Sequence, residues 1–594
     1  MTKNQNKEKI SDVYLLKRLA KYLFHNRMMN IAAFSLLILD LGFGLFIPYL
    51  MSLILDDYIS QGVMVTELFS IIGIYFVFFL LGTIFNFLGN YIFGIMGENA
   101  IYQLRKDTYS KIQELGLDYF DETPTGDTLS RMTNDMDLMQ PILSGQVVYA
   151  MYSLIFVVGM LGVLFSISPV LTVLVSITIP LVIIILYVNN KWTRTLRKKA
   201  NEKLANVSAS MTEHIMGVKV STAFAREEYN IEDFKKVNDE YADQFMKFYK
   251  FGSFLHPLFL IFNFIAIFLV LFFGSIIVIT NLDASAGLTV GTIYLFVLYV
   301  TRFSGPIIQV SSIFGNIQVA LASFERIIKL HIRPSSVPES PTAVPLNCTQ
   351  GEIDFRNVTF AYNESQGNIL ENFNIHISPN ECVAIVGETG SGKTTIAYLL
   401  ARLYDIQQGN ILIDGQDIRD ITKESLRQAL CMVPQEPFLF SESIISNLYY
   451  GAECSPAELN TYVTLLGCDF VFNLSNELDT NVGERGGRLS VGQRQLLTFA
   501  RALIPNPKIL ILDEATSSID PQTELQIQRA MDEMLKNRTS IIIAHRLSTI
   551  RKADRILVLN NGKIIEEGSF EALIDMKGEF YNLYQLQFNN EGIY

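Results

Sequence analysis

Residues Gly387-Glu388-Thr389-Gly390-Ser391-Gly392-Lys393-Thr394 follow the apolar run ECVAIV and lead into TIAYLL, which reads as a helix. Glycines at these spacings let backbone N–H groups curl around a phosphate, and a helix N-terminus adds further donors. Lys393 would reach the β and γ phosphates, and Thr394, with Thr395 beside it, would hold Mg²⁺. A second apolar run, Lys508 to Leu512, ends in Asp513-Glu514. Asp513 suits the metal, directly or through water. Glu514 can polarise an attacking water, as phosphoryl transfer to water requires. His545 closes the run SIIIAH, at the strand end where parallel sheets bind ligands. It reads as a γ-phosphate contact or as a satisfied core histidine.

Such residues need a parallel sheet to carry them, and residues 351–584 have the composition of an α/β domain. The stretch 332–350, RPSSVPESPTAVPLNCTQG, is a Pro- and Ser-rich linker, and 585–594 is a tail. The five cysteines form no CxxC pair. They read as buried or free thiols, with zinc or disulfides as the alternative. A net charge of -12 without a basic patch argues against a nucleic-acid partner.

The first half is different. Apolar runs near 30–54, 68–94, 145–166, 169–189, 254–280 and 288–312 are each long enough to cross roughly 30 Å of hydrocarbon as a helix. Arg302 and Pro306 interrupt the last. Lys and Arg are missing from 28–104 and 251–301, and collect in the connections 95–144 and 190–253. Basic residues favour the cytosolic side, which places both termini and both long connections there. These connections read as helical extensions of the spans, with the first turning near Asp121–Gly126. Residues 1–29 do not read as a cleavable leader. Their basic amphipathic part, 12–24, suits the inner membrane surface. The expected fold is an α-helical polytopic membrane domain over 30–331, six helices with long cytosolic extensions. An α/β P-loop ATPase domain with a helical subdomain follows it.

Residues 489–493, LSVGQ, followed by RQ and FARAL, resemble the signature of ATP-binding cassette proteins. The whole chain resembles an exporter half-transporter of the multidrug and lipid exporter family. The resemblance implies ATP and Mg²⁺ as ligands and a lipid bilayer as surroundings, and the acidic, low-cysteine composition suits a bacterial inner or plasma membrane. It implies an adenine-stacking role for Tyr362 and a water- and Mg²⁺-sensing role for Gln435. Ser490, Gly492 and Gln493 would serve the nucleotide of a facing cassette, and Asp520 would communicate between sites. Val482–Gly486 resembles an exporter-specific element near the coupling helices. Gly126, Arg131 and Asp135 resemble the first coupling region, and Glu213, Gly217 and Phe224 the second. One phosphate loop and one signature per chain imply a second half-transporter.

Val491 stands where the signature usually has Gly, and a side chain there crowds a bound phosphate. With Glu514, Gln435 and His545 intact, this favours a heterodimer with one weakened site over a homodimer. The cargo expected of such a chain is hydrophobic or amphipathic, by multidrug-type export, with a lipid or glycolipid flippase as the alternative. Asp40 lies within an apolar run, where a carboxylate is costly unless paired. It could meet a cationic substrate or bond within the helix bundle.

Overall fold

The structure, a computed structural model, describes residues 10–59, 65–280, 288–363, 367–513, 521–544 and 546–588. Among them, six helical stretches are long and apolar enough to cross a membrane: Arg27–Ile59, Glu67–Glu114, Thr125–Ile167, Pro169–Met216, Glu227–Ile279 and Val290–Ile332. Each holds an expected span to within two residues at its ends, and most run far beyond it. The connections 95–144 and 190–253 are largely helical, as their sequence suggested. By contacts the chain divides into two units, one of residues 1–112 and 126–332, the other of 113–125 and 333–594. The tip of the first long connection therefore groups with the second unit, although the sequence reading kept it with the membrane domain.

In the first unit the helices are α1 (Asp12–Leu23), α2 (Arg27–Leu53) and α3 (Val65–Glu114), with α4 (Leu117–Glu122) belonging to the other unit. They continue as α5 (Thr125–Met132), α6 (Asn134–Pro141), α7 (Val147–Ile167), α8 (Pro169–Ser176), α9 (Thr178–Met216) and α10 (Val218–Ala223). The last are α11 (Glu227–Ser253), α12 (Leu255–Thr280), α13 (Val290–Thr301) and α14 (Ser304–Ile332). Local chemistry sets several of these ends. Ser168 terminates α7, caps α8, and precedes a Pro at the first helical position. Thr289 and Thr292 form a capping box at the start of α13. Asp56, at the far end of the first span, accepts from Thr289 and from the Gly291 N–H at 2.8 Å, so one carboxylate ties the first span to the last. The last span breaks at Arg302, which caps α13 and reaches the Gly44 carbonyl at 3.3 Å.

On α1, Leu15 and Leu19 are buried while Lys17 and Lys21 are exposed. Tyr22 donates to Asp107 at 2.8 Å, and burial with that carboxylate pushes its hydroxyl up to about 12. Asp135 is 3% exposed and takes a bidentate grip from Arg326 of α14, one contact from Nε at 2.9 Å. That geometry gives the pair both energy and register.

The second unit carries β1 (Ile353–Phe360), β2 (Leu370–Ile377), β3 (Cys382–Gly387), β4 (Gln408–Ile413), β5 (Gln416–Asp417) and β6 (Leu430–Val433). It ends with β7 (Ile509–Asp513), β8 (Thr539–Ile543), β9 (Arg555–Asn560) and β10 (Lys563–Gly568). One sheet runs β2-β1-β4-β5, all antiparallel. The other runs β10-β9-β3-β8-β7-β6. Within it, β9, β3, β8, β7 and β6 are parallel, and β7 and β8 are buried on both faces as such a sheet requires. All five cysteines are free. Burial pushes the thiols of Cys382 and Cys468 up to about 12, and those of Cys348 and Cys431 to about 11. Protonated thiols of this kind are unreactive at neutral pH.

Arg326→Ala would strand the Asp135 carboxylate. The loss is expected near 2 kcal/mol, below that of a fully buried pair because Arg326 is half-exposed. Thermal denaturation followed by size-exclusion chromatography should show earlier loss of the folded protein than for wild type.

Candidate functional site

Strand β3 delivers the phosphate loop to the edge of the parallel sheet. Gly387 and Gly392 adopt φ of 151° and 103°, conformations closed to most side chains. A Cβ on Gly387 would lie 2.2 Å from the Leu559 carbonyl oxygen. Glu388, Thr389 and Gly390 are exposed, so the loop opens outward. Gly392 precedes α15 (Lys393–Leu400), whose first turn faces the loop. Lys393 is 7% exposed and donates from Nζ to the carbonyls of Gly387 at 2.9 Å and Glu388 at 2.7 Å. Burial holds its ammonium below the usual lysine range, and Asp513 partly opposes this. Ser391 Oγ is buried and has no partner among the described residues. A buried orphaned hydroxyl in such a loop fits an oxyanion.

The neighbouring strands end on the same edge. β7 closes with Asp513, which is buried and pairs in register with Ile543 of β8. β6 ends at Val433, two residues before the exposed Gln435. Thr394 and Asp513 offer hard oxygen donors that fit Mg²⁺. Tyr362 is half-exposed, its hydroxyl 3.1 Å from Thr395 Oγ1. Tyr362 thus meets the first turn of α15, and Asp513 acts on the charge of Lys393. Glu514, Asp520 and His545 lie outside the described residues. Ser490, Gly492 and Gln493 start a different helix, α16 (Val491–Leu503), packed in the second hydrophobic core of this unit. Ser490 and Gln493 form its capping box. Val491 is the first helical residue, exposed by 42%. Its backbone is an ordinary helical one, so the usual glycine is not needed there for conformation.

In the membrane unit, Asp40 is 8% exposed and accepts from Asn86 Nδ2 at 3.0 Å. Asn90 donates to the side chain and carbonyl of Asn86 at 3.0 and 2.9 Å. The carboxylate thus joins α2 to α3.

Residues 30–307 match the family described as ABC transporter transmembrane region, and residues 370–517 match the one described as ABC transporter. A Bacillus subtilis protein named "Uncharacterized ABC transporter ATP-binding protein YknV" is 35% identical over 83% of this chain and 81% of its own length. The chain belongs to the ABC transporter family. This ABC transporter is 37% identical to an "ATP-dependent lipid A-core flippase" of Desulfotalea psychrophila, over 83% of its chain and 85% of the relative. It is 32% identical to a "Putative multidrug export ATP-binding/permease protein" of Staphylococcus aureus, over 96% and 100%. A solved bacterial Atm1-family ABC exporter with ATP bound superposes with a TM-score of 0.76 at 27% identity, covering 95% of this chain and 98% of that one. The ABC transporter described here is therefore an exporter half, with six apolar helices fused to one ATP-hydrolysing cassette. Sequence reasoning missed Tyr404 and Asp121, whose contact depends on packing between distant segments.

Lys393→Ala removes the loop's cation. ATP turnover, followed by phosphate release, is expected to fall at least about 100-fold, as when a transition-state donor is lost.

Proposed function

We propose that this chain exports hydrophobic or amphipathic compounds by alternating access, as one half of a heterodimer. The observation that carries the reading is the meeting of Lys393, Ser391 and Asp513 at one sheet edge in a chain that also holds six apolar spans. The N-termini and cassettes would face the cytosol, on the basic-residue bias of the long connections.

ATP would lie in the loop with its adenine on Tyr362 and its β and γ phosphates under Lys393. Mg²⁺ held by Thr394, Asp513 and Gln435 would neutralise charge between those phosphates. Glu514 would polarise the attacking water, and His545 would contact the γ phosphate. The signature of the facing chain would close the site. ATP binding would then draw two cassettes together, and hydrolysis would part them.

A second chain is supported by the long hairpin of α9, α10 and α11. Neither α10 nor α11 has a buried residue, and Met216, Val220 and Phe224 at the tip are exposed. Apolar side chains gathered at a cytosolic tip suit a partner surface. Val491 supports asymmetry. Its branched side chain stands at the helix start whose N–H groups would meet a partner's nucleotide, and it matters there by bulk alone. The bond from Asn86 to Asp40 favours a structural role for this acid over recognition of a cationic cargo.

A lipid or glycolipid flippase is the second reading, favoured by the name of the Desulfotalea relative. Stimulation of ATP turnover by a panel of amphipathic dyes or by purified lipids separates the two.

Native mass spectrometry of the complex drawn from its host membrane is expected to show a second, different half-transporter. Two copies of this chain alone would overturn the heterodimer. In that complex, Glu514→Gln should bind ATP with wild-type affinity while turnover drops about 100-fold or more. Turnover within threefold of wild type would remove Glu514 from its role.

A further inference from the structure

The residues 113–125, at the tip of the first long connection, group with the cassette unit. Several contacts seat α4 there. Leu117 packs against the cassette's hydrophobic core. Tyr119 is buried beneath the Arg333 guanidinium, 5.3 Å from its ring centre. Arg333 also donates to Asp118 and Glu122, each at 2.9 Å. None of these contacts involves the phosphate loop.

A further contact leads toward it. Tyr404 is 8% exposed, and its hydroxyl donates to Asp121 of α4. Burial and that carboxylate hold the Tyr404 hydroxyl far above the usual range, so it remains a donor at any physiological pH. On its other side the Tyr404 ring meets Tyr362 edge to face, with centres 5.0 Å apart at 87°. Phe360 packs edge-on against both rings, 4.9 Å from Tyr362 and 5.9 Å from Tyr404. Tyr362 is bonded in turn to Thr395, two residues beyond Lys393. A close-packed cluster of this kind transmits displacement, because no ring can shift without its neighbours.

We propose that Tyr404 is a positioning residue that ties occupancy of the nucleotide site to the seating of α4. The inference rests on reading Tyr362 as the adenine platform. A base stacked on the half-exposed Tyr362 ring fixes that ring. Its edge fixes Tyr404, and the Tyr404 hydroxyl holds Asp121. A nucleotide would in this way firm the attachment of the connection between the second and third spans.

The test is hydrogen exchange of the peptide covering 113–125, in the intact complex in lipid nanodiscs, with and without a non-hydrolysable ATP analogue and Mg²⁺. In wild type the analogue is expected to slow exchange there. In Tyr404→Phe and Asp121→Ala the slowing should shrink about fivefold, the equilibrium effect of one net hydrogen bond, while analogue affinity stays within about twofold. Asp121→Asn should restore it, because the amide oxygen accepts the same bond. A merely structural role would raise exchange equally without nucleotide, and that result would overturn the proposal. Tyr362→Ala separates the two layers. Unchanged nucleotide affinity in that variant would sink the adenine platform. Weakened affinity there, with wild-type protection retained in Tyr404→Phe, would sink the relay alone.

Discussion

The site depends on one buried ammonium inside a cage of backbone. Lys393 satisfies itself on the carbonyls of Gly387 and Glu388, and those bonds hold the loop in shape. Burial disfavours the charge, so an incoming phosphate offers the lysine a better partner than its own backbone. The loop needs positive φ at Gly387 and Gly392, and the Leu559 carbonyl leaves no room for a side chain at Gly387. The parallel sheet exists to bring Asp513 and the end of β8 beside it.

In the membrane unit the governing constraint is the opposite one. The spans present Phe, Ile and Leu outward, for example Phe76, Phe87 and Ile183. Some of their polar groups bond between helices, as Asp40 does to Asn86 and Asp56 to the start of α13. In hydrocarbon an unpaired polar group is costly, so such bonds fix which helices are neighbours. In the helical extensions beyond the spans, the pairing of Asp135 with Arg326 does the same for α6 and α14.

Much of this was legible in the amino-acid sequence, for physical reasons. Spans are legible because lipid demands long apolar runs. The phosphate loop is legible because its chemistry admits glycine, lysine and threonine at set places. What escaped were contacts between distant segments. Asp135 sits in a polar stretch that looks like surface, yet its partner lies 191 residues away. The Tyr404 hydroxyl finds Asp121 across 283 residues. No local pattern encodes either pairing. The ordinary helical backbone of Val491 shows only in its place at the start of α16.

The most direct measurement is transport by the purified complex in liposomes. Mg²⁺-ATP would be added on the side exposing the cassettes, and fluorescent amphipathic compounds followed into the lumen. The account predicts ATP-dependent uptake that disappears when Lys393 is replaced by Ala. ATP turnover with no movement of any such compound, or uptake that survives loss of Lys393, would contradict it.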